Sequence, residues 1–189
     1  MAVREPGGTA AGDEIRRVLL DPASHLDDRA EALLFMASRA QLVSQVIRPA
    51  LEQGAFVVAD RFFLSTYAYQ VAGRGLAEGE VRQANALATG GLRPDLTLLL
   101  DLPAGAGLAR AARRGARDRM ERSGADFHDR VRDAFVEFAT PRWQEAHAEA
   151  GPIALVDATG AEDDVAAGIA RELIARWPQT AGALAWSKG

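Results

Sequence analysis

Three near-continuous apolar runs constrain this chain most: "AFVVA" (Ala55 to Ala59), "LTLLLDL" (Leu96 to Leu102) and "PIALVDA" (Pro152 to Ala158). Runs without polar alternation read as strands buried on both faces. They alternate with helical patterns at Gly12 to Leu20, Asp27 to Gln53, Glu78 to Ala88, Gly105 to Arg114, Ala125 to Ala150 and Glu162 to Arg176. Strands and helices in alternation predict an α/β domain with a mostly parallel sheet, in which ligands gather at the carboxyl ends of the strands. Asp60 and Asp101 stand at two such ends. A length of 189 residues fits one domain spanning residues 1–189, large enough to bury a core without covalent staples.

Local signals refine this frame. Pro49 inside the second helical pattern is expected to kink or split it, because the ring removes a backbone donor and crowds the preceding turn. "REPGGT" (Arg4 to Thr9) reads as a strand end, a tight glycine loop and a helix start, a place where phosphate is often held. "GGLRPD" (Gly90 to Asp95) is a turn leading into a strand. The Arg-dense stretch "ARRGARDRMERSGAD" (Ala112 to Asp126), broken by glycines, is expected to form a mobile segment over the site. The tail from about 178 to 189 is expected to be poorly ordered unless Trp186 docks.

Composition narrows the functional classes. Without cysteine there is neither a disulfide framework nor a thiolate metal site, and His25, His128 and His147 lack ligand spacing. A net charge of −4 argues against a nucleic-acid partner. No run has the length of a signal peptide or a membrane span, so a cytoplasmic protein without a membrane partner is expected. All but one of the 22 cationic side chains are arginine, and the sole lysine is Lys188.

The chemistry concentrates in "DRFFLSTYAYQVAGRG" (Asp60 to Gly75), read as a loop region after a strand. A strand-end aspartate can hold Mg²⁺ directly or through water, and an adjacent arginine can grip a phosphate bidentately, which is what phosphoryl transfer requires. Taken alone, Asp60 and Arg61 read as a cap and a surface ion pair. In "ALLFMASRAQLV" (Ala32 to Val43), Phe35 and Arg39 share a helix face at i, i+4. Together they offer a ring for a nucleobase to stack on and a donor for a base carbonyl, although a core Phe beside a surface Arg has the same spacing. Gln70 both donates and accepts, which complements the N3–H and carbonyl edge of thymine or uracil.

"REPGGT", "LLF" with an arginine four residues after the Phe, "DRF", "STYAYQVAGRG", "ANALATGGLRPDLT", "LLLDLP" and "DRME" followed by "FHDRVR" occur in series. In order and spacing the chain resembles the thymidylate kinase family from about Val3 to about Arg176. The resemblance implies a P-loop-kinase-like three-layer fold, a homodimer, and transfer of the γ-phosphoryl of ATP to dTMP, giving dTDP. It further implies that Phe35 stacks on thymine, Arg39 bonds its O4, and Gln70 or Thr66 meets N3. Tyr69 would lie under the sugar and disfavour a 2′-hydroxyl. Arg61, near Ser65, would hold the acceptor phosphate, Asp60 the Mg²⁺ shell, and Glu5 would line the acceptor site. The Arg-rich segment, about 112 to 126, resembles the lid of the bacterial subclass with basic lid residues. Arg110, Arg113, Arg114, Arg117 and Arg119 are then the candidates for ATP binding and charge neutralisation, with Arg114 first. Guanidinium groups in analogous positions raise rates by roughly 10³–10⁵. Without the resemblance, these arginines read as a solvated surface.

One departure stands out. In this family a strand, a G-x-x-x-x-G-K-[ST] loop and a helix precede "REPGG"; here only Met1 to Val3 do, and Lys188 lacks glycines at the required spacing. The glycine loop at Gly7 and Gly8 is therefore expected to neighbour the phosphate cradle without forming it. Low turnover is expected of these residues alone, since positioning supplies most of the catalysis in phosphoryl transfer. A mis-assigned start or a fragment is the expected origin. The absent strand would separate the Ala55 to Ala59 strand from the Leu96 to Asp101 strand, exposing two apolar edges. Two other readings share these residues: a catalytically inactive dTMP-binding protein or partner subunit, and a kinase for another pyrimidine monophosphate.

Overall fold

The computed structural model describes residues 1–103, 105–107 and 118–181. Strand β1 (Ala2–Arg4) leads into helices α1 (Ala10–Leu20) and α2 (Asp28–Leu42), a π-helical turn (Val43–Ile47) and α3 (Arg48–Glu52). Strand β2 (Val58–Asp60), α4 (Phe63–Thr66), a π-helical segment (Tyr67–Gly73) and α5 (Glu78–Thr89) come next. After β3 (Thr97–Asp101) come α6 (Ala125–Phe138), α7 (Pro141–Ala146), a 3₁₀ turn (Ala148–Ala150), β4 (Ile153–Asp157), α8 (Glu162–Arg176) and α9 (Pro178–Ala181).

The strands are parallel, as expected of an α/β chain, and the sheet is in two pieces, with the Ala55 to Ala59 strand set apart from the Leu96 to Asp101 strand as expected. β1 pairs with β2, bringing Arg4 opposite Asp60, and β3 pairs with β4 from Thr97 opposite Ile153 to Asp101 opposite Asp157. No ladder joins β2 to β3 among the described residues. The apolar runs are consequently not buried on both faces: Val58, Leu100 and Leu155 are 57, 51 and 47% exposed. A run with the composition of a central strand is buried only when its neighbours cover it, and each sheet here has two strands.

Two long helical patterns divide at a proline, the first as expected at Pro49 and the second as a correction at Pro141. The Asp27 to Gln53 pattern divides where the π-helical turn precedes Pro49, whose missing N–H leaves the ladder one donor short. The Ala125 to Ala150 pattern breaks before Pro141, where the Thr140 hydroxyl accepts the Trp143 N–H at 3.4 Å as an N-cap. The region read as a loop after Asp60 is mostly helical, from Phe63 to Gly73. Its Phe63, Leu64, Tyr67 and Ala68 pack into the main core with Phe127, Val131, Phe138 and Trp143. The expected helix from Gly105 falls on described residues only at 105–107, which are helical.

Smaller clusters join α2 to α5 through Met36, Val81 and Ala88, and seat Leu42, Val43 and Ile47 beneath Val3. These contacts hold α2 against β1 and α5, and Arg39 of α2 reaches Glu5 after β1, Thr66 of α4 and Asn85 of α5. No helix among the described residues is long and apolar enough to cross a membrane.

Candidate active site

The parallel pairing of β1 and β2 brings their carboxyl ends together, and the Glu5 N–H donates to the Asp60 carbonyl at 3.0 Å. Arg61 then adopts a φ of 68°, a left-handed conformation unusual for a side chain of its size, and turns the chain sharply into α4. Asp60 and Arg61 are both exposed. The Arg61 guanidinium lies 5.3 Å from the centre of the Tyr69 ring, with Nη1 3.4 Å from Ser65 Oγ. A carboxylate and a guanidinium thus face solvent at the ends of paired strands, supported by a hydroxyl and a ring.

Behind them lies a buried network around Arg39. Its Nε and Nη2 donate to Glu5 at 2.8 and 2.6 Å, and Nη1 donates to Thr66 Oγ1 at 2.9 Å and Asn85 Oδ1 at 2.5 Å. Asn85 Nδ2 is buried without a hydrogen-bond partner among the described residues. The charge of Arg39 is balanced by Glu5, which makes its burial tolerable.

A second network surrounds Glu31, which is fully buried. Gln70 Nε2 donates to Glu31 Oε1 at 2.8 Å, Arg74 donates to both carboxylate oxygens at 3.3 and 3.2 Å, and Arg119 Nη2 lies 2.6 Å from Oε2. Burial alone pushes the Glu31 carboxyl up; hydrogen bonds from Arg74, Gln70 and Arg119 outweigh it and hold the group below the usual carboxylate range. Glu31, Phe35 and Arg39 recur every four residues along α2 and so share one face. Arg39 meets Thr66 and Glu31 meets Gln70, so half-buried Phe35 lies on that face midway between two polar bridges. An open cleft of about 570 Å³ adjoins the Glu31 network, lined by Ser24, His25, Asp27, Arg74, Arg119 and Arg122 among others.

The sequence matches the thymidylate kinase family model over residues 1–158. It is 51% identical to a thymidylate kinase of Deinococcus radiodurans over 166 residues, covering 88% of this chain and 77% of that one. A thymidylate kinase of Desulforudis audaxviator is 52% identical over 141 residues, 74% of this chain and 63% of that one. For Thermosynechococcus vestitus the figures are 46% over 155 residues, 80% and 64%. The chain belongs to the thymidylate kinase family. It spans between 63 and 77% of the length of these three thymidylate kinases.

Within this thymidylate kinase family chain, the residues singled out from sequence fall into three groups. Glu5, Arg39 and Thr66 meet in one buried network; Gln70 and Arg119 join Glu31 in another; Asp60, Arg61, Ser65 and Tyr69 gather at the open end of β2. Arg119 also donates to the Leu19 carbonyl at 2.7 Å, so it ties the end of α1 to α2 instead of standing in a solvated arginine face. Arg110, Arg113, Arg114 and Arg117 lie outside the described residues. The glycine loop uses its donors internally, the Gly7 N–H on Ser38 Oγ at 3.0 Å and the Gly8 N–H on Asp13 Oδ1 at 3.1 Å. Those two donors are therefore already occupied.

Sequence reasoning passed over Glu31, Ser38, Arg74 and Asn85. The signal for Glu31 was present: an acidic residue four positions before Phe35 on the face that Arg39 also occupies. Asn85 sits inside "ANALATGG", where one polar side chain on a helix carries no distinctive spacing.

Proposed function

We propose that this chain forms the acceptor-nucleotide side of a dTMP kinase, which passes the γ-phosphoryl group of ATP to the 5′-phosphate of dTMP, giving dTDP and ADP. The observation that carries the reading is the juncture of Arg39 and Thr66 beside Phe35, in a chain of the thymidylate kinase family. In this reading Phe35 stacks on the thymine, Arg39 offers its remaining Nη2 hydrogen to O4, and Thr66 and Gln70 face N3. Tyr69 lies against the sugar. Arg61, exposed and seated over Tyr69, grips the acceptor phosphate, and its constrained backbone holds it there without reorganisation.

No group of three or more metal-ligating side chains occurs among the described residues. A single exposed carboxylate, Asp60, nevertheless suits Mg²⁺, which is commonly held by one or two carboxylates together with substrate phosphates and water. When bound there, Mg²⁺ supplies neutralisation of phosphate charge. Glu5 is paired with Arg39 and serves the site by holding that guanidinium. The arginines at 110, 113, 114 and 117 belong to the same proposal as partners of ATP, as does assembly into a homodimer.

Calorimetric titration with dTMP and with dCMP in the presence of Mg²⁺, paired with ADP release from ATP, tests the reading. Preferential binding of dTMP, lost in Arg39→Ala but kept in an exposed control such as Leu87→Ala, is the expected result. Failure to bind dTMP overturns it.

A further inference from the structure

Glu31 is an unusual group to find fully buried, and its three polar partners do unequal things. Arg74 and Arg119 balance its charge and close the cleft side. Gln70 contributes no charge, is itself buried, and turns its amide nitrogen onto Glu31 Oε1 at 2.8 Å. An ionised carboxylate only accepts, so the end of the amide that faces it must be the nitrogen. The reversed amide would set two oxygens against each other in a buried place, which costs both the hydrogen bond and the desolvation of an unpaired acceptor. The carbonyl oxygen of Gln70 is thereby held away from Glu31 as the acceptor end of the amide.

We propose that Glu31 is a positioning residue that sets the specificity of position 70: by locking the Gln70 nitrogen it presents the Gln70 carbonyl oxygen to the base as a fixed acceptor. A fixed acceptor pairs with the N3–H of thymine or uracil and opposes the N3 lone pair of cytosine. This role rests on the acceptor-site reading and adds to it a residue that touches no substrate. The geometry supports this division of labour, because Glu31 and Arg39 bracket Phe35 on one face of α2 while Gln70 and Thr66 lie one turn apart opposite them. Base recognition would then use one hydroxyl and one amide from a single helical segment, each oriented from α2.

The test is the ratio of dTMP to dCMP affinity, measured by calorimetry on the wild-type chain, Glu31→Gln, Gln70→Met and the double variant. In Glu31→Gln the residue at 31 can donate as well as accept, which frees the Gln70 amide to turn over. The ratio should fall by about tenfold, the size of one hydrogen bond, with dCMP binding strengthening in absolute terms. In the Gln70→Met background the same substitution should leave the ratio unchanged. Should Glu31→Gln prove too unstable to titrate, the Gln70 side-chain amide resonances, assigned by their loss in Gln70→Met, supply the second reading: slow hydrogen exchange is expected, and rapid exchange overturns the lock. Equal losses for both nucleotides in Glu31→Gln reduce Glu31 to a structural role and overturn the proposal alone. No dTMP binding by the wild-type chain overturns the acceptor-site reading itself, and this proposal with it.

Discussion

Three ion pairs, Glu5–Arg39, Glu31–Arg74 and Glu31–Arg119, set the behaviour of single residues in this protein. Arg39 and Glu5 are both buried, so removing one leaves an uncompensated charge where water does not reach. Arg39→Ala should destabilise the chain by about 3–5 kcal/mol in urea denaturation. The paired replacement Arg39→Met with Glu5→Leu should recover most of that, since neither charge remains buried. Glu31 adds a pH dependence with a definite sign. Its folded-state pKa is depressed, so the stabilisation is present above the unfolded value of about 4.3 and is lost as pH falls through the folded value. Urea midpoints measured from pH 7 to pH 3 should therefore decline on acidification, and Glu31→Gln should flatten the decline. An equally steep fall in that variant would show that other carboxylates govern the slope.

At the level of elements, the π-helical segment and α6 are in close contact near the candidate site. A Cβ placed on Gly73 would sit 2.6 Å from Phe127 Cε2, and the Phe127 ring is held in turn by Tyr69 and by the Arg74 guanidinium, 4.6 Å from its centre. Gly73→Ala should cost about 1–3 kcal/mol, read as a lowered thermal midpoint, because a ring boxed in on its other faces cannot move aside cheaply. The same segment shows why part of the site was hard to read in the chain. Phe63, Leu64, Tyr67 and Ala68 have a helical spacing, but the hydroxyls of Ser65 and Thr66 among them and the Gln70 amide after them resemble a polar loop. The period there is also set by π-helical turns, not by 3.6 residues. By contrast α8, from Glu162 to Arg176, was legible to the residue, with three acidic side chains in its first turn and an arginine in its last.

Across the whole molecule, exposed large apolar side chains among the described residues occur on helices, as at Leu33 and Leu87, and also on the paired strands, at Val58, Leu100 and Leu155. Leu100 on β3 is half exposed, whereas Phe138 belongs to the main core. In urea denaturation Leu100→Thr should change the unfolding free energy by about 0.5 kcal/mol or less, and Phe138→Ala should cost about 3–5 kcal/mol. A large loss in Leu100→Thr would mean that another surface covers β3 in solution. The division into β1–β2 and β3–β4 was expected from the family's strand order and not from the strand residues themselves, since an apolar run reports suitability for burial and not which neighbour supplies it.

Sequence alone determined the family, the α/β alternation, the parallel sense of the strands and the residue types gathered after β2, because periodicity and motif spacing are local properties. Tertiary structure decided the pairings: Arg39 with Glu5 and Asn85, at separations of 34 and 46 residues, and Gln70 with Glu31 at 39. Desolvation compels a buried donor or acceptor to find a partner, but only the packing of α2 against its neighbours settles which one.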